Sequence, residues 1–299
     1  MKKQFSSLLT LSLSLAILFT ACQKEGTPSQ NNTDAATHSD DQSRFSNEMD
    51  AVAGDANVAL NSQTGFSGRG SDLQFICDAT IAVDTVSNPR TITITYNGTN
   101  CLGNRIRTGV IVLSMPANVR WKDAGAVVTV TFQNFKITRV SDNKSITING
   151  VKTLTNESGG LLIHLASLQT VTHLVNSSGL SVTFDNGSQR NWQVARKHVY
   201  TYNNGAVLTV TGNHTQGNVT GIAEWGTNRF GNSFTSAITA PMVIRQDCNF
   251  RLTAGQVLHT TPNFTANAIF GLDATGNPAG CPGTAAYYMK VTWTGPAGN

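Results

Sequence analysis

The feature that most constrains this chain is a two-residue alternation of apolar side chains with threonine. Ile92, Ile94 and Tyr96 alternate with Thr91, Thr93 and Thr95. Val128, Val130 and Phe132 alternate with Thr129, Thr131 and Gln133, and Ile146 and Ile148 with Ser145, Thr147 and Asn149. Successive strand residues point to opposite faces, so these runs describe a sheet with one buried face and one wet face. Turn signals separate them: Asn97-Gly98, Asp123-Ala124-Gly125, Asp142-Asn143, Asn186-Gly187, Asn203-Asn204-Gly205 and Gly226-Thr227-Asn228. Asn-Gly suits a type I′ turn because both central residues need positive φ. Nothing reads as a βαβ unit. Residues 63–299 are therefore expected to be a mainly β body, an antiparallel β-sandwich or a long curled sheet, open to division into two similar halves.

Composition sharpens this. The 299 residues include 38 Thr, 28 Asn and 27 Gly, while charged residues make up 13 %, about half the usual share. The 39 % apolar content suffices for a core and excludes wholesale disorder. The formal charge is +4, and Lys2 and Lys3 lie in a segment expected to be removed. What remains is too small and too dispersed to suggest nucleic acid as a partner.

One helix is expected over residues 44–62. Phe45, Met49, Val52, Ala56 and Leu60 share one helical face, Ser43 can cap the start, and Gly65 lies beyond the end. Gly54 weakens its middle. A stripe of this width reads as a cover over a sheet.

The N-terminus carries an address. Lys2 and Lys3 precede an apolar run from Leu8 to Phe19, then Phe19-Thr20-Ala21-Cys22. The run would span about 18 Å as a helix, short of the ~30 Å hydrocarbon core. Residues 1–21 thus read as a signal peptide. The small residues before Cys22 resemble the lipobox of bacterial lipoproteins, although Phe19 stands where Leu or Val is usual. That resemblance implies acylation of Cys22, cleavage just before it, and attachment to a membrane through lipid. Residues 22–43 then read as the lipidated Cys and a disordered tether spanning about 25 Å. Its start, with Lys24 and Glu25, resembles the export signal of surface lipoproteins of Bacteroidota; an ordinary polar linker is the plainer alternative.

Four cysteines remain: Cys77, Cys101, Cys248 and Cys281. An even number in an exported chain implies disulfides, with three connectivities open. Context favours Cys77–Cys101 and Cys248–Cys281, because each pair brackets an apolar strand, an aromatic-bearing strand and a Gly/Asn-rich turn. Each closure would stabilise by about 3.5–4 kcal/mol in the chain-entropy model. Zinc would want short paired spacings, which the sequence lacks.

The stretches Pro89 to Ile94, Arg107 to Ile111, Thr131 to Phe135, Asn149 to Thr153 and Pro241 to Val243, with the cysteines, resemble a pattern in uncharacterised surface lipoproteins of Bacteroidota. The resemblance covers most of residues 73–295 and implies location and fold, with no activity attached.

Catalytic signals are sparse. His164, His173, His198, His214 and His259 fall on separate expected strands without ligand spacing. Glu157 and Glu224 are the nearest thing to a glycosidase pair, and nothing selects them. No nucleophile elbow, phosphate loop or EF-hand loop occurs. No cofactor is expected. Trp121 and Trp225, beside turns, are candidate sugar-stacking residues, while Trp192 and Trp293 read as core. Asp84-Thr85-Val86 matches a loose O-glycosylation motif of Bacteroidota, making Thr85 a candidate acceptor. The expectation is a non-enzymatic, surface-displayed outer-membrane lipoprotein that binds a glycan or a protein. The alternatives are a structural part of a cell-envelope complex and, last, a hydrolase.

Overall fold

The computed structural model describes residues 30–63, 66, 76–177, 179–279, 281 and 287–295. They form one long helix, α1 (Gln30–Ser62), and a single antiparallel sheet of fifteen strands. The first eight are β1 (Ala79–Asp84), β2 (Arg90–Thr99), β3 (Arg105–Met115), β4 (Ala126–Arg139), β5 (Ser145–Asn156), β6 (Thr170–Ser177), β7 (Leu180–Phe184) and β8 (Gln189–Tyr202). The rest are β9 (Ala206–Gly212), β10 (His214–Gln216), β11 (Val219–Thr227), β12 (Ser233–Arg245), β13 (Arg251–Thr260), β14 (Thr265–Leu272) and β15 (Tyr288–Thr294).

The sheet is close to a pure meander. β6 and β7 share the slot between β5 and β8, β9 and β11 share the slot between β8 and β12, and β10 folds back on β11. The alternating runs behave as the sequence requires. β2 buries Arg90, Ile92, Ile94 and Tyr96 on one face and turns Thr91, Thr93 and Thr95 to the other. The disulfides join Cys77 to Cys101 and Cys248 to Cys281, with Cα separations of 5.4 and 5.9 Å. One staple ties the segment before β1 to the end of β2, and the other ties the turn after β12 to the segment before β15.

The helix differs from expectation in length. It begins at Gln30, so residues 30–43 are helical where a tether was expected, and Ser43 lies inside the helix. It also passes through Gly54 unbroken. Residues 22–29, with Cys22, Lys24 and Glu25, lie outside the described residues.

The sheet curls around this helix. Three successive helical residues show it, since each is turned about 100° from the last. Glu48 pairs with Arg105 of β3, the Met49 carbonyl accepts from Lys152 of β5 at 3.1 Å, and Asp50 pairs with Arg196 of β8 at 2.7 Å. The floor between these flanks is apolar. Phe45, Met49, Val52, Ala56 and Leu60 form one core with Ile94, Leu113, Val130, Ile148, Val182 and Trp192. Bulges supply the bend. At the break between Thr108 and Val110, Gly109 adopts φ +101°, and a Cβ there would stand 2.3 Å from the Asn134 carbonyl oxygen.

Arginines grip the helix along both flanks. Arg139 holds Asp40 at 2.6 Å, Arg229 holds Asp41 at 2.5 Å, and Arg107 bridges Asp55 at 2.7 Å and Asp78 at 2.6 Å. Removing one partner of such a pair leaves a charge uncompensated away from water, which typically costs about 3–5 kcal/mol. Arg107→Met is expected to lower unfolding stability by about that amount. Urea denaturation followed by tryptophan fluorescence measures it, and a change within about 0.5 kcal/mol would show that the clamp is not needed.

Candidate functional site

Trp121 and Trp293 exchange roles relative to expectation. Trp121 is 1 % exposed, donates from Nε1 to Asn57 Oδ1 at 3.2 Å, and belongs to the core under α1, so it presents no face to a sugar. Trp225 lies within β11 and stacks on His214 with ring centroids 4.0 Å apart. Trp192 is buried as expected, whereas Trp293 is 58 % exposed on β15 and is not core. Thr85 is exposed just after β1, in a turn closed by the Asp84 carboxylate accepting from the amides of Val86 and Ser87.

The two glutamates do not work as a pair. Glu157 is exposed and bound to Lys197 at 2.8 Å. Glu224 is 1 % exposed and accepts from Arg196, Ser46 and Trp192 Nε1. Burial pushes its carboxyl up, and these donors pull it back. The group of Asp247, Cys248 and Cys281 is the one set of three metal-type ligands gathered among the described residues, and its two sulfurs are already bonded to each other.

The feature that does stand out is the part of the sheet's inner face that the described residues leave uncovered. The helix covers β2 to β8, reaches β12 through a hydrogen bond from Gln42 to Ser236, and reaches β13 where His38 meets His259. From there three cross-strand rows continue over β12 to β15. Ser236, His259, Ala266 and Trp293 form one, and Ile238, Val257, Ala268 and Val291 the next. Gly255, Phe270 and Met289 form the third, against Met242. Gly255, Ala266 and Ala268 are small, with Ile238 and Met242 of β12 on one side, Met289, Val291 and Trp293 of β15 on the other, and His259 and Phe270 at either end of the small strip, so the rows form a trough. Gly255 has φ +143°, and a Cβ there would stand 2.9 Å from the Met242 Cα, so the close approach needs glycine.

Together with α1 these rows enclose a groove of about 660 Å³. Its sheet side is apolar, with Met289 62 % exposed at the outer edge. The helix side is polar, carrying Asp34, Gln42, Ser46 and Asp50 beside Arg196 and Glu224. Three signals were available in the sequence: the alternation of Met289, Val291 and Trp293, the Ala266/Ala268 spacing, and Phe270. None shows by itself that its row is left bare.

No protein-family model, no curated protein and no solved structure matches this chain.

Histidine is concentrated inside the fold. His38, His173, His198 and His259 are all buried, while His164 and His214 are not. His173 and His198 face each other across β6 and β8, and His38 lies 4.5 Å from His259 by ring centroid. Burial, the largest cause in each case, lowers His38 and His173 to about 3 and His198 and His259 to about 4. A histidine whose pKa falls on folding contributes stability that is present above its unfolded value near 6.5 and lost as pH falls toward the folded value. Each contributes a slope of about 1.4 kcal/mol per pH unit in that window. Asp41, Glu48 and Glu224, raised by burial, work in the opposite sense. The expected outcome is a steep stability loss between pH 6.5 and about 4, and a shallower slope in His173→Phe. Urea midpoints across that range test it; an unchanged slope would show that His173 does not contribute.

Proposed function

We propose that this chain is a non-enzymatic binding protein, held by lipid on Cys22 at the outer membrane and facing the cell exterior, whose ligand is an elongated apolar molecule. The observation that carries this reading is the set of rows on β12 to β15 that begin under α1 at Ser236 and His259 and run out from it over small and apolar residues. Apolar surface of this extent is costly to leave in water, and ligand sites combine an apolar lining with a few polar groups. The volume of about 660 Å³ lies in the range of small-molecule sites. A sugar finds less support, since Trp121 is buried and one face of Trp225 is taken by His214. Catalysis finds less support as well, because Glu224 is held by three donors and Asp50 by Arg196. No helix among the described residues is long and apolar enough to cross a membrane, which says nothing of strands. The proposed anchorage therefore rests on Cys22.

A second reading has its own observation. Among the described residues β15 pairs only with β14, and all seven of its residues are exposed. A bare edge of this kind can accept a strand from a neighbour, as a component of a cell-envelope complex would.

Each buried methylene contributes about 0.8 kcal/mol, so affinity for straight-chain alcohols is expected to rise about fourfold per added carbon until the trough is full. Ala268→Trp fills the middle of the trough and should weaken binding by at least about tenfold while the fold is kept. Displacement of a fluorescent alkyl probe measures both. Affinity independent of chain length would sink the apolar-ligand reading and turn attention to the β15 edge, where crosslinking to one envelope protein is the expected result.

The anchor is tested separately. Cys22→Ser is expected to move the chain out of the membrane fraction or leave it uncleaved. Lys24→Ala with Glu25→Ala should stay lipidated and lose sensitivity to protease added to intact cells. Unchanged sensitivity would remove the sequence basis for surface display.

A further inference from the structure

The groove has two unlike sides, and the helix side is biased in charge. Its charged lining residues are Asp34, Asp50, Glu224 and Arg196, three carboxylates against one guanidinium. Arg196 is not available to a ligand. Its Nη1 donates to Asp50 at 2.7 Å, and its Nη2 donates to Ser46 at 2.9 Å and to Glu224. His259 also lines the groove, is 7 % exposed, and has no hydrogen-bond partner on Nε2. Its Nδ1 lies 2.8 Å from the Ser236 hydroxyl, which accepts from Gln42. Burial keeps this imidazole uncharged near neutral pH, so it does not offset the carboxylates. If Glu224 takes up a proton, acid still outnumbers base on this wall. The start of α1 adds about half a positive charge, too little to reverse the sign.

We propose that the groove selects long-chain amphiphiles with a cationic head over fatty carboxylates, the tail lying on the β12 to β15 trough and the head against the acidic wall of α1. This deepens the reading of the groove as an apolar-ligand site and rests on it. Like charge facing a ligand is a strong source of rejection, and opposite charge favours both encounter and orientation. Asp34 is the residue to vary. It is half-buried in the first turns of α1, and its carboxylate is not among those clamped by arginine. Asp50 and Glu224 hold the fold through Arg196 and are poor probes.

The experiment compares three ligands with the same tail, dodecylamine, dodecan-1-ol and dodecanoate, all below micelle-forming concentration. They are bound to the exported Cys22→Ser protein at pH 7.5 in low salt. The expected order is amine, then alcohol, then carboxylate, with about tenfold between the extremes. That ratio should shrink in 0.5 M salt through screening. Asp34→Asn should reduce the ratio and Asp34→Lys reduce it further, with circular dichroism showing the same fold. Equal binding of amine and carboxylate, or a carboxylate preference, overturns the head-group inference while the apolar-ligand reading stands. A ratio unmoved by Asp34→Lys and by salt also overturns it. Binding of none of the three by a folded protein fails the apolar-ligand reading itself, and the two failures are thereby distinct.

Discussion

The structure depends on how one helix is seated in one sheet. An antiparallel sheet with an apolar inner face needs a cover, and here α1 supplies it. The helix has a narrow apolar stripe, Phe45, Met49, Val52, Ala56 and Leu60, which alone would fix neither its rotation nor its axial position. The carboxylates on its flanks do that. Asp40, Glu48 and Asp55 meet arginines of β3 and β4 on one side, and Asp41 and Asp50 meet Arg229 and Arg196 on the other. Apolar burial gives the driving force. The buried pairs add little net stability but make every misplaced register expensive, because a shift of one residue would strand several charges at once.

That seating also determines where the surface is left open. A helix with its side chains is about 10–12 Å across, and strands lie about 4.8 Å apart, so one helix cannot cover a sheet of this width. The sheet curls and brings β2 through β12, and β13 at His259, against α1, yet the inner faces of β14 and β15 and the rest of β13 extend past its reach. The staple between Cys248 and Cys281 ties β12 to the approach of β15 and holds this free wing in place. Polar helix wall and apolar sheet floor thus meet along the groove as a consequence of geometry, with no separate binding element added to the fold.

Several elements could be read from residues alone because their causes are local. Alternation with threonine gave the strands, and a meander requires little beyond neighbours pairing. Asn186-Gly187 and Asn203-Asn204-Gly205 do make hairpin turns, but Asn97-Gly98 lies inside β2, paired with Thr108 and Arg107, and the chain turns only at residues 100–104. The disulfides were legible for the same reason, each closing over its own stretch of adjacent strands. The start of the helix was not. Residues 30–43 have no apolar face of useful length, and their carboxylates find partners at Arg139 and Arg229, roughly a hundred residues or more away in sequence.

Trp121 and Trp293 separate the two kinds of information. Trp121 stands between Arg120 and Lys122 beside a turn, and looks exposed; Trp293 stands in an alternating run, and looks buried. The opposite is true, because α1 lies over the first and stops short of the second. By itself the sequence determined which residues share a face, since that follows from strand periodicity. Whether a face is covered depends on where a helix distant in sequence comes to lie, which no local pattern encodes.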